Sequence, residues 1–234
     1  MLFRQLFDLE SSTYTYLLAR DYNQPAILID PVDTQIPLYL SLLKELNLTL
    51  KMCVDTHVHA DHITASGQLR ELTGCDNVLG DESLAQCASK RVKDGEEFGV
   101  EGITLKAIHT PGHTPDSYCF LMDDRVFTGD TLFIRGTGRT DFQAGSSEAQ
   151  YDAIFNKLLI LPAHTLVYPG HDYRGMSVST IYEEKHFNPR LQVKDKAEYV
   201  ELMKNLNLPN PKMIDIAVPA NLKCGLNDNT SLDQ

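Results

Sequence analysis

The chain has 234 residues, 42% hydrophobic and 23% charged, with a formal net charge of −11. That is enough chain for one large domain with a substantial core, and no apolar run approaches the ~18–20 residues of a membrane span. The negative field disfavours nucleic acid, which needs a basic face, and any anionic ligand needs a local cationic pocket.

In chain order, YTYLLA (14–19) and AILID (26–30) read as strands bounded by polar turns. IPLYLSLLKEL (36–46) has helical spacing, with Leu38, Leu42, Leu43 and Leu46 on one face. KMCVD (51–55) is a short strand, and TASGQLRELTG (64–74) a helix ending with Gly74 in the position after its last turn. ITLKAIH (103–109), SYCFLMD (117–123), RVFTGD (125–130) and TLVYPG (165–170) are further strands. Ser147 and Gln150 form an S-x-x-Q capping box opening the helix EAQYDAIFNKLLIL. One weak helix is expected near 196–206. Strands and helices interleave throughout, which says α/β or layered α+β. The expectation is a single domain over 1–234, with about 190–234 as a C-terminal extension packed on it.

Four of these strands end in the same way. KMCVD runs into THVHADH, which carries His57, His59, Asp61 and His62; ITLKAIH runs into TPGHT, giving His113; RVFTGD ends on Asp130; TLVYPG runs into His171. Each apolar strand stops, a Gly or Thr turn follows, and a metal-type ligand appears. If the strands share one sheet edge, the ligands converge there, fixed better by rigid strand ends than by free loops. Four chance placements of one kind are a poor explanation. His109, His164 and His186 lack this context and read as surface or satisfied core histidines.

H-x-H-x-D-H, then Gly-His, Gly-Asp and Gly-His resemble the metallo-β-lactamase superfamily over roughly residues 10–175. That resemblance implies an α+β fold, an αββα sandwich with metal at one edge of two packed sheets. The longer stretches THVHADHITASGQLR, TPGHTPDSYCF, FTGDTLFIRGTGRTDFQ, YPGHDYRGMSVSTIYEEKHFNPRL and LNLPNPKMIDIAVPANLKCG resemble the persulfide dioxygenases over nearly the whole chain.

Ligand counting and resemblance point to different stoichiometries. Counting gives His57, His59 and His113 for one ion and Asp61, His62 and His171 for a second, with Asp130 bridging. That is the dinuclear hydrolase arrangement, as in zinc thioesterases of the glyoxalase II type. The persulfide dioxygenase resemblance implies one Fe(II) per chain on His57, His113 and Asp130, two histidines and a carboxylate that leave open positions for oxygen chemistry. His59, Asp61, His62 and His171 then orient water and fix ligand tautomers. The implied reaction oxidises glutathione persulfide with O₂ to sulfite and glutathione. A possible homodimer is implied by resemblance alone.

Glutathione carboxylates need guanidinium partners. Arg190 is the preferred clamp; Arg139 either contacts substrate or makes an internal bridge with Asp141 or Asp172. Arg135 lies in the same stretch. Tyr173 is expected beside the iron, its hydroxyl donating to bound substrate or oxygen. The five cysteines, Cys53, Cys75, Cys87, Cys119 and Cys224, form no C-x-x-C pair. Their odd count argues against a disulfide framework and fits a reducing compartment, each cysteine being a small buried hydrophobe. Cys224 is either inert or close to the thiol pocket. The N-terminal stretch, with Asp8 and Glu10 and no small-residue cleavage site, reads as mature protein. The expected location is cytoplasmic, of bacterial type, or the mitochondrial matrix behind a trimmed transit peptide.

Overall fold

The computed structural model describes residues 1–209 and 213–226. Two six-stranded sheets form its centre. The first runs in the order β1 (Leu2–Asp8), β2 (Thr13–Ala19), β3 (Pro25–Ile29), β4 (Thr49–Val54), β5 (Asp76–Gly80) and β6 (Lys90–Val92). The second comprises β7 (Glu97–Val100), β8 (Ile103–His109), β9 (Tyr118–Leu121), β10 (Arg125–Gly129), β11 (Leu166–Pro169) and β12 (Ser179–Thr180), in the reverse spatial order from β12 to β7.

The sandwich follows from strands that are apolar on both faces. All seven residues of β2 are buried. Tyr14, Tyr16 and Leu18 point between the sheets with Phe120 and Phe127, while Leu17 and Ala19 face outward. That outward face is covered by α1 (Ile36–Glu45) and α2 (Ser66–Thr73), through Tyr39, Leu43 and Leu69. On the second sheet, Cys119, Val126 and Val167 meet α3 (Ser147–Ala153), its π-helical continuation Ile154–Leu158, α4 (Ile181–Phe187) and α5 (Lys196–Lys204). The layers are therefore helix, sheet, sheet, helix. The last helix, α6 (Ile214–Asn221), packs Val218 with Leu222 beyond it against Val58, Leu79 and Ala85.

Local differences from the sequence reading have physical causes. The helical face of α1 buries Tyr39 and Leu43 and leaves Leu38 42% exposed, because the stripe turns toward Tyr39, whose hydroxyl takes the Val32 amide. The N-cap of α3 is Ser146, not Ser147: Ser146 Oγ accepts from the Ala149 amide. Ser147 Oγ instead meets Thr140 Oγ1 at 2.7 Å. Gln150 is buried, giving Nε2 to the Gly138 carbonyl and taking the Tyr199 hydroxyl. Gly74 closes α2 at φ +72, as its position implied. The weak C-terminal helix is α5, capped by Asp195.

The four ligand-bearing strands do not share one sheet. β4 belongs to the first, while β8, β10 and β11 belong to the second. Their ligand loops meet at a common end of the sandwich, so the site lies at one edge of the two packed sheets together and not at the edge of a single sheet.

Candidate metal centre

The THVHADH loop is held from several sides. Asp30, buried just past the end of β3, accepts the Thr56 amide at 2.7 Å and the Thr56 hydroxyl at 3.0 Å. Asp55 accepts Thr64 Oγ1 at 2.8 Å and Ser66 Oγ at 2.7 Å, tying the end of the loop to the start of α2. The glycines before two ligands are close approaches. Gly129 has φ +47, and a Cβ there would lie 2.6 Å from Thr56 Oγ1. A Cβ on Gly170 would lie 2.7 Å from Asp130 Oδ1.

His57, His113 and Asp130 each offer one ligand atom, all within 4.8 Å of one another. In each, the remaining polar atom is engaged. The Thr56 hydroxyl gives its only proton to Asp30, so it accepts from His57 Nδ1 at 3.0 Å. That leaves His57 Nε2 bare, buried and without a partner. Burial, with the His59 and His113 imidazoles close by, pushes the His57 imidazole well below its ordinary pKa, so it is neutral and able to ligate. His113 Nδ1 donates to the Arg139 carbonyl at 2.8 Å, leaving Nε2 3.6 Å from Asp130 Oδ2. Asp130 Oδ1 is taken by His171 Nδ1 at 2.7 Å. Burial alone would raise the Asp130 carboxyl, but His171, His113 and His57 hold it well below the usual carboxylate range. Two imidazole nitrogens and one carboxylate oxygen thus face a common point, a donor set that fits a divalent first-row metal.

His59, Asp61 and His62 form a second group within 4.8 Å. His59 Nε2 donates to Asp30 Oδ1 at 3.1 Å, and His62 Nδ1 meets Asp61 Oδ2 at 3.0 Å; His59 Nδ1 and His62 Nε2 are buried without partners. His171 spans the two groups. Its Nε2 meets Asp61 Oδ2 at 2.7 Å and its Nδ1 meets Asp130 Oδ1 at 2.7 Å. Carboxylates only accept, so both ring nitrogens donate. Burial opposes that charge, yet Asp130 and Asp61 together raise the His171 pKa well above its ordinary value. Thr13 Oγ1 sits 3.0 Å from His171 Nε2. Asp30, Asp55 and His59 form a third, wholly buried group of possible ligands.

A pocket of about 470 Å³ opens onto Asp61, His113, Asp130 and His171. Phe133, Ile134 and Leu208 give it apolar lining, and Tyr173, Arg174 and Arg190 also border it. Arg190 Nη1 donates to the Thr137 carbonyl at 2.5 Å and to Thr137 Oγ1 at 3.1 Å. Among the described residues no carboxylate pairs with it, and burial together with Arg174 lowers its pKa. Arg139 also borders the pocket; its fork grips Asp141 at 2.7 and 2.8 Å, and Nη1 reaches the Pro209 carbonyl. The internal bridge, one of the two readings of Arg139, is the one formed. Arg135 grips Glu183 and Glu184. Tyr173 is 71% exposed at the rim, its ring parallel to His171 with centroids 6.1 Å apart.

The cysteine expectation fails in one respect. Cys87 and Cys224 form a disulfide across 137 residues of sequence, while Cys53, Cys75 and Cys119 are free and buried. An odd count permits one pair, and nothing local in the sequence links positions so far apart. Cys224 is not among the residues that line the pocket. His109, His164 and His186 stay outside the ligand groups. The sequence reading missed Asn221, the last residue of α6. Its Nδ2 donates to the carbonyls of His59 at 2.9 Å and His62 at 2.8 Å, and its Oδ1 accepts the Thr64 amide at 2.9 Å.

Residues 88–171 match the metallo-beta-lactamase superfamily. The human mitochondrial persulfide dioxygenase ETHE1 is 46% identical over 99% of this chain and 91% of its own length. The crystal structure of ETHE1 from Myxococcus xanthus superposes with a TM-score of 0.93 at 53% identity, covering 97% of this chain and all of that one. A probable hydroxyacylglutathione hydrolase of Schizosaccharomyces pombe is more distant, at 31% identity over 86% of this chain and 90% of its own length. Full-length similarity of this order, together with the sandwich and its converging ligands, makes the chain a member of the persulfide dioxygenase family within the metallo-β-lactamase superfamily.

Proposed function

We propose that the chain is a mononuclear Fe(II) persulfide dioxygenase that converts glutathione persulfide, O₂ and water to sulfite and glutathione. The observation that carries the single-ion reading is the state of the spare ligand atoms. His57 Nε2, His113 Nε2 and Asp130 Oδ2 are left by partners that fix everything else about them. In the second set His59 Nδ1 and His62 Nε2 are bare too, but both ring nitrogens of His171 are taken, by Asp61 and Asp130. A dinuclear hydrolase would need His171 Nε2 to exchange its 2.7 Å hydrogen bond to Asp61 for a second ion.

Bound at His57, His113 and Asp130, a ferrous ion supplies the O₂ chemistry that no side chain carries. The protein's work is positioning. Arg190, lacking a carboxylate partner among the described residues, receives a glutathione carboxylate, and Arg174 adds positive charge beside it. Phe133 and Ile134 keep the wall behind the reacting sulfur dry. His171 keeps Asp130 Oδ1 turned away from the open side. Tyr173, on the rim against His171, offers its hydroxyl to the incoming persulfide. The atoms balance as R–S–S⁻ + O₂ + H₂O giving R–SH + SO₃²⁻ + H⁺.

No helix among the described residues is long and apolar enough to cross a membrane. A cytoplasmic or mitochondrial-matrix location and a homodimer complete the proposal; light scattering tests the latter. Metal analysis with oxygen uptake tests the rest. About one iron per chain, O₂ consumption and sulfite release on glutathione persulfide are expected. Two zinc ions with rapid hydrolysis of a glutathione thioester and no oxygen uptake would overturn it.

A further inference from the structure

We propose that the Cys87–Cys224 disulfide is a reducible latch that holds Asn221 against the metal-ligand loop. α6 has eight residues with Pro219 inside it, too short and too interrupted to hold its own shape. Yet it ends on a side chain whose amide makes all three of its hydrogen bonds to the backbone of residues 59–64. Three residues later comes Cys224, joined to Cys87 on the segment between β5 and β6. The neighbouring backbone docks as well: the Gly67 amide donates to the Cys224 carbonyl at 2.9 Å. The bond thus ties the two ends of a clamp around the loop that carries His57, His59, Asp61 and His62.

The latch is placed for thiol chemistry. Cys87 is half-buried and Cys224 is 1% exposed, so Cys87 Sγ is the sulfur that a small thiolate reaches. Attack forms a mixed disulfide on Cys87 and breaks the bond to Cys224, which leaves as a thiolate and takes up a proton. A second thiolate attacks the mixed disulfide, releasing Cys87 as a thiolate that is protonated in turn. Two thiols are oxidised to one small disulfide, and their two electrons reduce the latch. Opened, the segment loses its one covalent tie and is left to non-covalent contacts, among them those of Asn221, the Gly67–Cys224 backbone bond and the small apolar cluster around Val58. The loop backbone then opens more often, and a metal held on it escapes faster.

The test uses the full-length chain with and without a low-molecular-weight dithiol. Denatured without reductant, it should titrate the three free cysteines, and all five after reduction. Amide exchange of residues 59–64 in the metal-free protein should quicken about 10-fold on reduction, as should release of loaded Fe(II) to a colorimetric chelator, the scale typical of groups that support metal ligands. Cys87→Ser should behave like reduced wild type in both states, and Asn221→Ala should be fast in both. The release measurement rests on the proposed metal site; the exchange measurement does not, so the two readings fail separately. Five titrating thiols before reduction, or exchange of the loop unchanged by reduction, overturns the latch. Should Cys87→Ser not fold, reduced wild type carries the same comparison.

Discussion

Arg190→Ala isolates the substrate clamp from the metal. The guanidinium borders the pocket, donates to Thr137 and faces no carboxylate among the described residues. Removing a charge-assisted hydrogen bond to a substrate carboxylate costs roughly 1.5–3 kcal/mol, on the order of 10–150-fold in binding. The structure adds a second cost, because the Thr137 carbonyl loses its donor. An acceptor left dry costs about 1–3 kcal/mol, and in a chain of this size each kcal/mol lowers Tm by ~2–4 °C. The variant should therefore melt a few degrees lower yet retain its metal, since Arg190 touches none of the ligands. Oxygen uptake should show a raised KM for glutathione persulfide with kcat nearly kept, if the contact is equal in ground and transition states. Hydroxyethyl persulfide, which lacks the carboxylates, should react almost equally with wild type and variant. Arg190→Lys, keeping charge but losing the fork, should fall between them. Equal slowing of both substrates, or loss of iron, would refute the clamp and leave Arg190 as a brace for Thr137.

Other outcomes follow from the same geometry. His57→Ala, His113→Ala and Asp130→Ala should each abolish iron binding, whereas His62→Ala should keep about one ion per chain by metal analysis; a fall from two ions to one would count for the dinuclear site. His171→Ala removes the donor that turns Asp130, and metal affinity measured by chelator competition should drop ~10–100-fold. Gly170→Ala places a methyl 2.7 Å from Asp130 Oδ1 and should weaken metal binding without altering any ligand; unchanged affinity would show that the strand end gives way easily. Tyr199→Phe strips the donor from buried Gln150 and should lower Tm by several degrees while iron content is unaffected, at about 1–3 kcal/mol for the stranded acceptor.

What could be read from sequence was local. THVHADH announces itself because its ligands lie within six residues, and Gly129 and Gly170 mark the strand ends because backbone must pass close to Thr56 and Asp130 there. Apolar runs gave β2, β3, β8 and β10 nearly to the residue. β1 was invisible: in LFRQLFD the apolar residues come in pairs, and its strand state is imposed by pairing along all of β2. The division of ligand strands between two sheets was also hidden, since a strand's own residues do not say which sheet it joins. Arg139 illustrates a half-legible case. Its two readings were equally open in sequence, and the Asp141 bridge forms because that carboxylate lies two residues away and costs little chain entropy to reach. Asn221 and the Cys87–Cys224 pair were illegible for the opposite reason. Their partners are about 137 to 162 residues distant, and an asparagine that satisfies backbone carries no pattern of its own.

One constellation of seven residues serves both hydrolases and oxygenases on this fold, so the residues alone cannot set the chemistry. The protons on His171 bear on the choice. Holding both, it places one positive charge between Asp61 and Asp130 and caps one oxygen of each, Asp61 Oδ2 and Asp130 Oδ1, leaving Asp130 Oδ2 to face His57 and His113. Were His171 to surrender the proton on Nε2, Asp61 Oδ2 would lose its shortest contact and keep those to His62 and Thr13, and a second ion would find His59, Asp61 and His62 already assembled. Thr13 stands against it: its hydroxyl lies 3.0 Å from His171 Nε2 and 3.3 Å from both Asp61 Oδ2 and His62 Nδ1, packing the space between the two groups with a polar contact to each. Thr13, which bonds to none of His57, His113 and Asp130, thereby braces the contact between His171 and Asp61 that a second ion would have to displace.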